Sequence, residues 1–229
     1  MQQLALDLQL ADYAVFASFY PGPNTTVLNA VRSAAEESHP QVHWIWGAAG
    51  SGRSHLLQAA VAAAGQAGAG CAWLPLANPD LSPDMLEGMG NLDLLCVDDV
   101  DLVAGHSDWE TALFRVFEDL RANRGRLLVT ASAPMSETDF QLRDLASRLA
   151  SGPTWQLRPM TDEEQLAALQ LRSRWRGLEL PDEVGTYLLR RIERSNAAVF
   201  AALDELDQAA LTAQRKLTVP FVKSVLESR

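Results

Sequence analysis

The stretch Gly47-Ala48-Ala49-Gly50-Ser51-Gly52-Arg53-Ser54 constrains this chain more than any other. An apolar run, Val42-His43-Trp44-Ile45-Trp46, leads into it, and a helix-forming run from Ser54 to Ala64 follows. A glycine-rich loop in that position lets backbone N–H groups turn inward, and the helix N-terminus adds partial positive charge, so the loop can cradle a phosphate. The spacing is G-x-x-x-x-G-[K]-[ST], with Arg53 where lysine is usual. Guanidinium is a planar bidentate donor, whereas ammonium is a compact point charge. Arg53 therefore suits holding a diphosphate better than following a transferring phosphoryl group. Ser54 would offer its hydroxyl to Mg2+. The plainer reading is a Gly/Ser turn, but the strand-to-helix placement is what the phosphate motif requires.

From residue 41 the pattern alternates strand, loop and helix. Cys71 to Leu76, Leu92 to Val97, Arg126 to Thr130 and Thr154 to Leu157 read as further strands. Residues 108 to 123 carry Trp109, Ala112, Leu113, Val116, Phe117 and Leu120 at helical spacing. Such alternation predicts an α/β fold, a mostly parallel sheet with helices on both faces. After Pro159 no strand pattern appears. Thr161-Asp162-Glu163-Glu164 has the form of a capping box, Gly177 of a C-cap, and Pro220 of a first-turn proline. The expected organisation is an extended tail over 1–12, an α/β nucleotide-binding subdomain over 13–158 and a small all-helical subdomain over 159–229. In the tail Leu4, Leu6, Leu8 and Leu10 recur with period two, so an extended chain puts them on one face.

Three further places carry candidate chemistry. Asp98-Asp99 ends an apolar strand in the manner of a Walker B pair: Asp98 would hold Mg2+ through water, and Asp99 stands where a residue polarising an attacking water would. Thr130 and Ser132, at the end of the next strand, either sense the γ-phosphate or water, or simply cap a strand end. Arg148 in Asp144-Leu145-Ala146-Ser147-Arg148-Leu149 is either a helix-surface charge or an arginine finger donated to a nucleotide on a neighbouring subunit.

The formal net charge of −10 would repel a phosphate backbone. The short basic clusters, Arg172, Arg174 and Arg176, then Arg190, Arg191 and Arg194, lie among carboxylates and read as solvated helix faces. Cys71 and Cys96 fall in apolar strands and read as buried, reduced thiols without metal-ligand spacing. No signal peptide opens the chain, and the uncharged stretch from Leu56 to Pro79 is broken by glycines and Pro75. A soluble cytoplasmic protein, with no membrane contact, is expected.

Taken in order, the phosphate loop, the Walker B strand, the threonine-bearing strand, the Leu-Ala-Ser-Arg-Leu segment and the helical lid resemble an AAA+ ATPase. Within that class the chain is similar to the Hda family, homologues of the ATPase part of the replication initiator DnaA. The resemblance rests on Phe16 to Gly22, Gly52-Arg53-Ser54-His55-Leu56-Leu57, Asp144 to Leu149, Leu178-Glu179-Leu180-Pro181, and Leu211 to Lys223. Arginine at position 53 agrees with it, because Hda sequences carry arginine there.

The resemblance implies a regulator that holds ADP (or ATP) with Mg2+, sits on the DNA polymerase III beta sliding clamp and stimulates hydrolysis of DnaA-bound ATP, which prevents re-initiation. It implies that Gly47, Gly50, Ser51, Gly52, Arg53, Ser54, His55 and Thr130 contact the nucleotide. Ser54 and Asp98 would hold the metal, and Arg148 would act in trans on the ATP of DnaA. Gln3-Leu4-Ala5-Leu6-Asp7-Leu8 matches a clamp-binding peptide, which lies extended with its leucines in an apolar groove. DNA would be reached only indirectly through the clamp, since a helix-turn-helix domain like that of DnaA has no room after the lid. A homo-oligomer is possible. One departure is the lid arginine, due near Ala197 or Ala198 and missing there. A stand-alone ATPase acting as loader or remodelling factor is the alternative, kept alive by Ser54, Asp98 and Asp99. A DNA-binding initiator relative is the third.

Overall fold

The computed structural model describes residues 14–36, 41–192, 196–213 and 216–227. Strands β1 (Val42–Gly47), β2 (Cys71–Pro75), β3 (Leu94–Asp98), β4 (Arg126–Ala131) and β5 (Thr154–Leu157) form one sheet in the order β2-β3-β4-β1-β5. Every neighbouring pair is parallel. Helices α1 (Thr25–Glu36) and α2 (Arg53–Gln66) cover one face; α3 (Ser107–Ala122) and α4 (Arg143–Leu149) cover the other. Strands buried on both sides must be apolar throughout, and their period of two sorts the side chains. Trp44, Leu95, Val97, Leu127 and Val129 face α3 and α4, while Ile45, Leu94, Cys96 and Leu128 face α1 and α2. The α/β reading and the helical stripe of α3 are both realised.

Because β4 lies between β1 and β3, the C-terminal ends of these strands meet at one edge. Ile45 pairs with Thr130 and Val97 with Val129, which sets Thr130 between the glycine loop and Asp98-Asp99. The opposite end of β4 is anchored by a buried cation. Arg126 donates to Ala34 O at 3.1 Å, Ala35 O at 2.8 Å and Asp93 O at 3.0 Å. It thereby satisfies carbonyls in the last turn of α1 that have no partner within the helix.

Helices α5 (Asp162–Trp175), α6 (Asp182–Arg191), α7 (Asn196–Ala213) and α8 (Val219–Glu227) pack around Leu169, Val184, Leu188, Leu203, Leu206 and Val222. The capping box forms as expected: Glu164 N–H donates to Thr161 Oγ1 at 3.2 Å, and Thr161 N–H donates to Glu164 Oε2 at 2.8 Å. Gly177, with φ of 73°, ends the turn after α5.

Two expectations need correction. Arg172 and Arg176 are not on a solvated face: their side chains are only 12% and 8% exposed and meet Asp204 and Asp207 on α7. Arg174, Arg190 and Arg191 are exposed as expected. Cys96 is fully buried, but Cys71 is partly exposed because β2 is an edge strand. Both thiols are free, and burial raises both above the ordinary thiol range. Among the described residues no helix is long and apolar enough to cross a membrane. Gln3, Leu4, Leu6, Leu8 and Arg194 lie outside the described residues.

Candidate nucleotide-binding site

The loop between β1 and α2 is held by close contacts that only glycine allows. Gly50 and Gly52 adopt φ of 75° and 100°, and a Cβ on Gly52 would stand 2.6 Å from Phe19 Cε2. A Cβ on Gly47 would come 2.9 Å from Leu157 O of β5. The loop is thus pressed between the segment before α1 and the sheet edge. Within it, Ser51 Oγ and Arg53 Nη1 are buried and have no hydrogen-bond partner among the described residues. A buried donor left unmade costs about 1–3 kcal/mol, so two of them in one loop point to a ligand rich in acceptors.

A cavity of about 260 Å³ opens on this loop. Gly50 to His55 form its floor, Phe19, Tyr20 and Asn24 one wall, and Met160, Arg172 and Phe200 of the lid region the other. Gly47 and Thr130 do not line it. Gly47 instead lets β1 approach β5, and Thr130 is fully buried beneath the site.

His55 ties the cavity to its wall. Its Nε2 lies 3.1 Å from Val15 O and 3.3 Å from Ser18 Oγ, and its ring meets Phe19 edge-on at 5.5 Å. Burial lowers its pKa to about 4, with the Val15 bond opposing and the charge of Arg172 assisting. The ring is therefore neutral at pH 7, and an Nε2–H donating to Val15 O fits that state. His55 lines the cavity, but its polar edge serves the segment that walls it.

Below the loop, Asp98 is 2% exposed and accepts from Thr130 Oγ1. The same hydroxyl oxygen accepts from Asp99 N–H at 2.9 Å. Asp99 takes a left-handed φ of 56°, a conformation that Asp tolerates better than most residues, and so turns the chain sharply after β3. Its Oδ1 meets Arg53 Nη2 at 2.9 Å. Burial and the neighbouring Asp98 raise the Asp99 carboxyl above the usual carboxylate range, while Arg53 pulls it back. Ser132 donates through its backbone N–H to Asp101 Oδ2 at 3.0 Å and through its hydroxyl to the same atom, a partner that sequence reading missed. Ser54 is exposed at the start of α2. The hydroxyl of Ser54 and the carboxylate of Asp98 are hard oxygen ligands of the kind Mg2+ takes, with phosphate oxygens needed to complete the shell. Among the described residues there is no cluster of three or more His, Cys, Asp or Glu that could hold a metal ion.

Arg148 stands apart from this group. It does not line the cavity; it sits in the last turn of α4, 42% exposed, with Nε 2.9 Å from Glu118 Oε1 on α3. A second carboxylate on α3 holds α4 from its other end. Glu110, 1% exposed, accepts from Gly105 N–H at 2.7 Å, Gln141 N–H at 3.0 Å and Leu142 N–H at 2.6 Å. In sequence Glu110 looks like an ordinary first-turn acid, and nothing local distinguishes it. The arginine due near Ala197 or Ala198 is absent there, and Phe200, one turn further along α7, faces the cavity instead.

Comparison with known proteins agrees with this anatomy. Residues 162–226 match the model of the Hda lid domain. The fold superposes on domain III of the Thermotoga maritima replication initiation protein DnaA, with a TM-score of 0.80 and 22% identity over 96% of this chain and 98% of that one. AMPPCP-bound DnaA from Aquifex aeolicus gives a TM-score of 0.71 at 21% identity over 88% of this chain and 67% of that one. The Thermotoga maritima RuvB Holliday junction branch migration motor gives 0.62 at 15% identity, over 89% of this chain and 67% of that one. A parallel sheet in this strand order, a glycine loop at its edge and a helical lid together give the chain the fold of DnaA domain III, with residues 162–226 matching the Hda lid domain.

Proposed function

We propose that this chain is a DnaA-related replication regulator that carries a nucleotide itself and acts on the ATP held by DnaA. The Hda lid and the DnaA-type fold support the replication context. Nucleotide binding is supported by the orphaned Ser51 Oγ and Arg53 Nη1 in the cavity wall, and by the AMPPCP seen in DnaA structures of this fold. Gly50, Ser51, Gly52 and Arg53 hold the phosphates of ADP or ATP, with Gly47 seating the loop against β5, His55 bracing the wall and Thr130 aligning Asp98 and Asp99. Ser54 and Asp98 hold Mg2+.

The observation that carries the regulatory reading is the position of Arg148, partly exposed and outside the cavity of its own chain. From there it serves a nucleotide on another molecule, stabilising charge that develops on the transferring phosphoryl group. Residues Gln3, Leu4, Leu6 and Leu8 tether the chain to the sliding clamp, which brings it to DNA without DNA contacts of its own. The cytoplasm follows as its location. Stimulated hydrolysis leaves DnaA inactive and prevents a second initiation.

The test is hydrolysis of DnaA-bound ATP with the clamp loaded on DNA. Arg148→Ala is expected to keep ADP binding and clamp binding while losing the stimulation; undiminished stimulation overturns the finger role. Removing residues 1–10 is expected to abolish co-elution with the clamp, and persistent co-elution removes the tether. The Asp98, Asp99 and Thr130 cluster favours a second reading, an ATPase in its own right. Steady-state hydrolysis by the isolated chain, lost in Asp99→Ala, would select it.

A further inference from the structure

Residues 158–161 join the sheet to the lid, and Met160 among them lines the cavity. Pairing of β5 with β1 ends at Leu157, so Arg158 is the first residue past the ladder. A side chain from the opposite wall takes over there. Asn24, 3% exposed, accepts from Arg158 N–H through Oδ1 at 2.7 Å and donates through Nδ2 to Arg158 O at 3.0 Å. A primary amide carries a donor and an acceptor side by side, so it replaces a strand partner, and only one of its two orientations makes both bonds. Asn24 is set in turn by its own backbone, whose N–H donates to Pro21 O at 2.7 Å in the short turn before α1. The same turn meets the far end of the connection. A Cβ on Gly22 would stand 3.2 Å from Glu164 Oε1, and Glu164 closes the capping box of α5.

We propose that Asn24 is the positioning residue of the lid: it clamps the fixed end of the hinge at Arg158 and so sets the gap between the two cavity walls. This rests on the nucleotide reading given above, in which a ligand spans that gap. The glycine loop decides where the phosphates lie, and Asn24 decides where the lid stands over the rest of the ligand. A side chain that only filled space would be replaced without loss by leucine, which has similar volume but neither donates nor accepts. Asn24→Leu instead strips both backbone groups of Arg158 of their partner, and the hinge turns to find others.

Dyes at Arg115→Cys on α3 and Lys223→Cys on α8, both exposed positions, read the hinge in the full chain by energy transfer. Cys71→Ser removes the partly exposed native thiol, and Cys96 is fully buried. Without ligand, the chain with Asn24 intact should give one narrow distance distribution, and Asn24→Leu and Asn24→Ala should both broaden it. By calorimetry, ADP affinity should fall about tenfold in these variants, the worth of one or two neutral hydrogen bonds. Inorganic pyrophosphate, which grips the loop alone, should change less than about twofold. A lower melting temperature with an unchanged distance distribution reduces Asn24 to a packing role and overturns the proposal. Equal losses for pyrophosphate and ADP overturn it too, by placing the effect on the loop. If the unaltered chain binds no ADP while the distances still broaden on substitution, the nucleotide reading falls and the hinge role stands.

Discussion

Arg53 Nη2 and Asp99 Oδ1 meet at 2.9 Å, joining the glycine loop to the end of β3 across the top of β4. The side chains are 13% and 24% exposed, so the pair is shielded more than a surface bridge. The same guanidinium presents Nη1 to the buried loop without a partner. Asp99 therefore competes with phosphate oxygens for the cation that the loop offers. Removing the charge in Asp99→Asn is expected to tighten ADP binding roughly three- to tenfold, about 0.7–1.4 kcal/mol, read by calorimetry. Weaker or unchanged binding would show that the pair positions Arg53 rather than withholding it.

Glu118 stands in a similar relation to Arg148, 2.9 Å away on the neighbouring helix. Both side chains are substantially exposed, so the bridge itself contributes only about 0–1 kcal/mol to folding. Its effect is to restrain the arginine. Glu118→Gln should leave the urea midpoint nearly unchanged and, under the proposed function, raise the stimulation of DnaA-bound ATP hydrolysis by releasing Arg148. A fall in stimulation would mean instead that Glu118 holds Arg148 in the productive direction.

Much of this was legible in the residue pattern, because it depends on local spacing. The strand alternation, the glycine loop, the Thr161 capping box and the acidic pair at the end of β3 are short-range signals, and each appears where its pattern predicts. The partners of buried charges are not local. Arg172 and Arg176 have carboxylates nearby in sequence, which suggested a solvated face, yet they bind Asp204 and Asp207 on α7. The available clue was the register of Arg172 with Ala168 and Leu169, which marks the apolar face of α5 rather than the polar one. Thr130 was recognised as a strand-end hydroxyl, but its engagement with both Asp98 and Asp99 depends on β4 lying beside β3. Strand order is a tertiary fact that no window of residues contains.

Glu110 shows how a buried charge can position a distant group. Its carboxylate accepts three backbone N–H groups, two of them from Gln141 and Leu142, where the chain enters α4. Replacing it by alanine removes three hydrogen bonds to a charged, buried carboxylate, while Gly105 and Gln141 lie at the surface where water can take its place, so the cost is about 3 kcal/mol. For a chain of this size each 1 kcal/mol corresponds to about 2–4 °C, so Glu110→Ala should melt roughly 6–12 °C lower. Stimulation of DnaA-bound ATP hydrolysis should fall at a temperature where the variant remains folded, and ADP affinity should not. A variant with normal stimulation would detach α4 geometry from the proposed regulatory activity.

Acid stability should report the histidine that braces the cavity wall. His55 has a pKa of about 4 in the fold against 6.5 ordinarily, chiefly through burial. Between those values the unfolded chain binds the extra proton, so stability falls as pH drops through the window. From pH 7.5 to 5.0 the loss from this group is about 2 kcal/mol. His43 acts in the same sense: burial lowers its pKa, and Trp155 Nε1–H donates to its Nδ1 at 3.1 Å, which requires that nitrogen to be unprotonated. Asp99 acts in the opposite sense, because its carboxyl is raised in the fold and protonation relieves it. Denaturant midpoints at the two pH values should therefore fall on acidification in the unaltered chain and fall distinctly less in His55→Gln. Equal losses in both chains would assign the acid sensitivity to other groups and remove His55 as the brace that titrates.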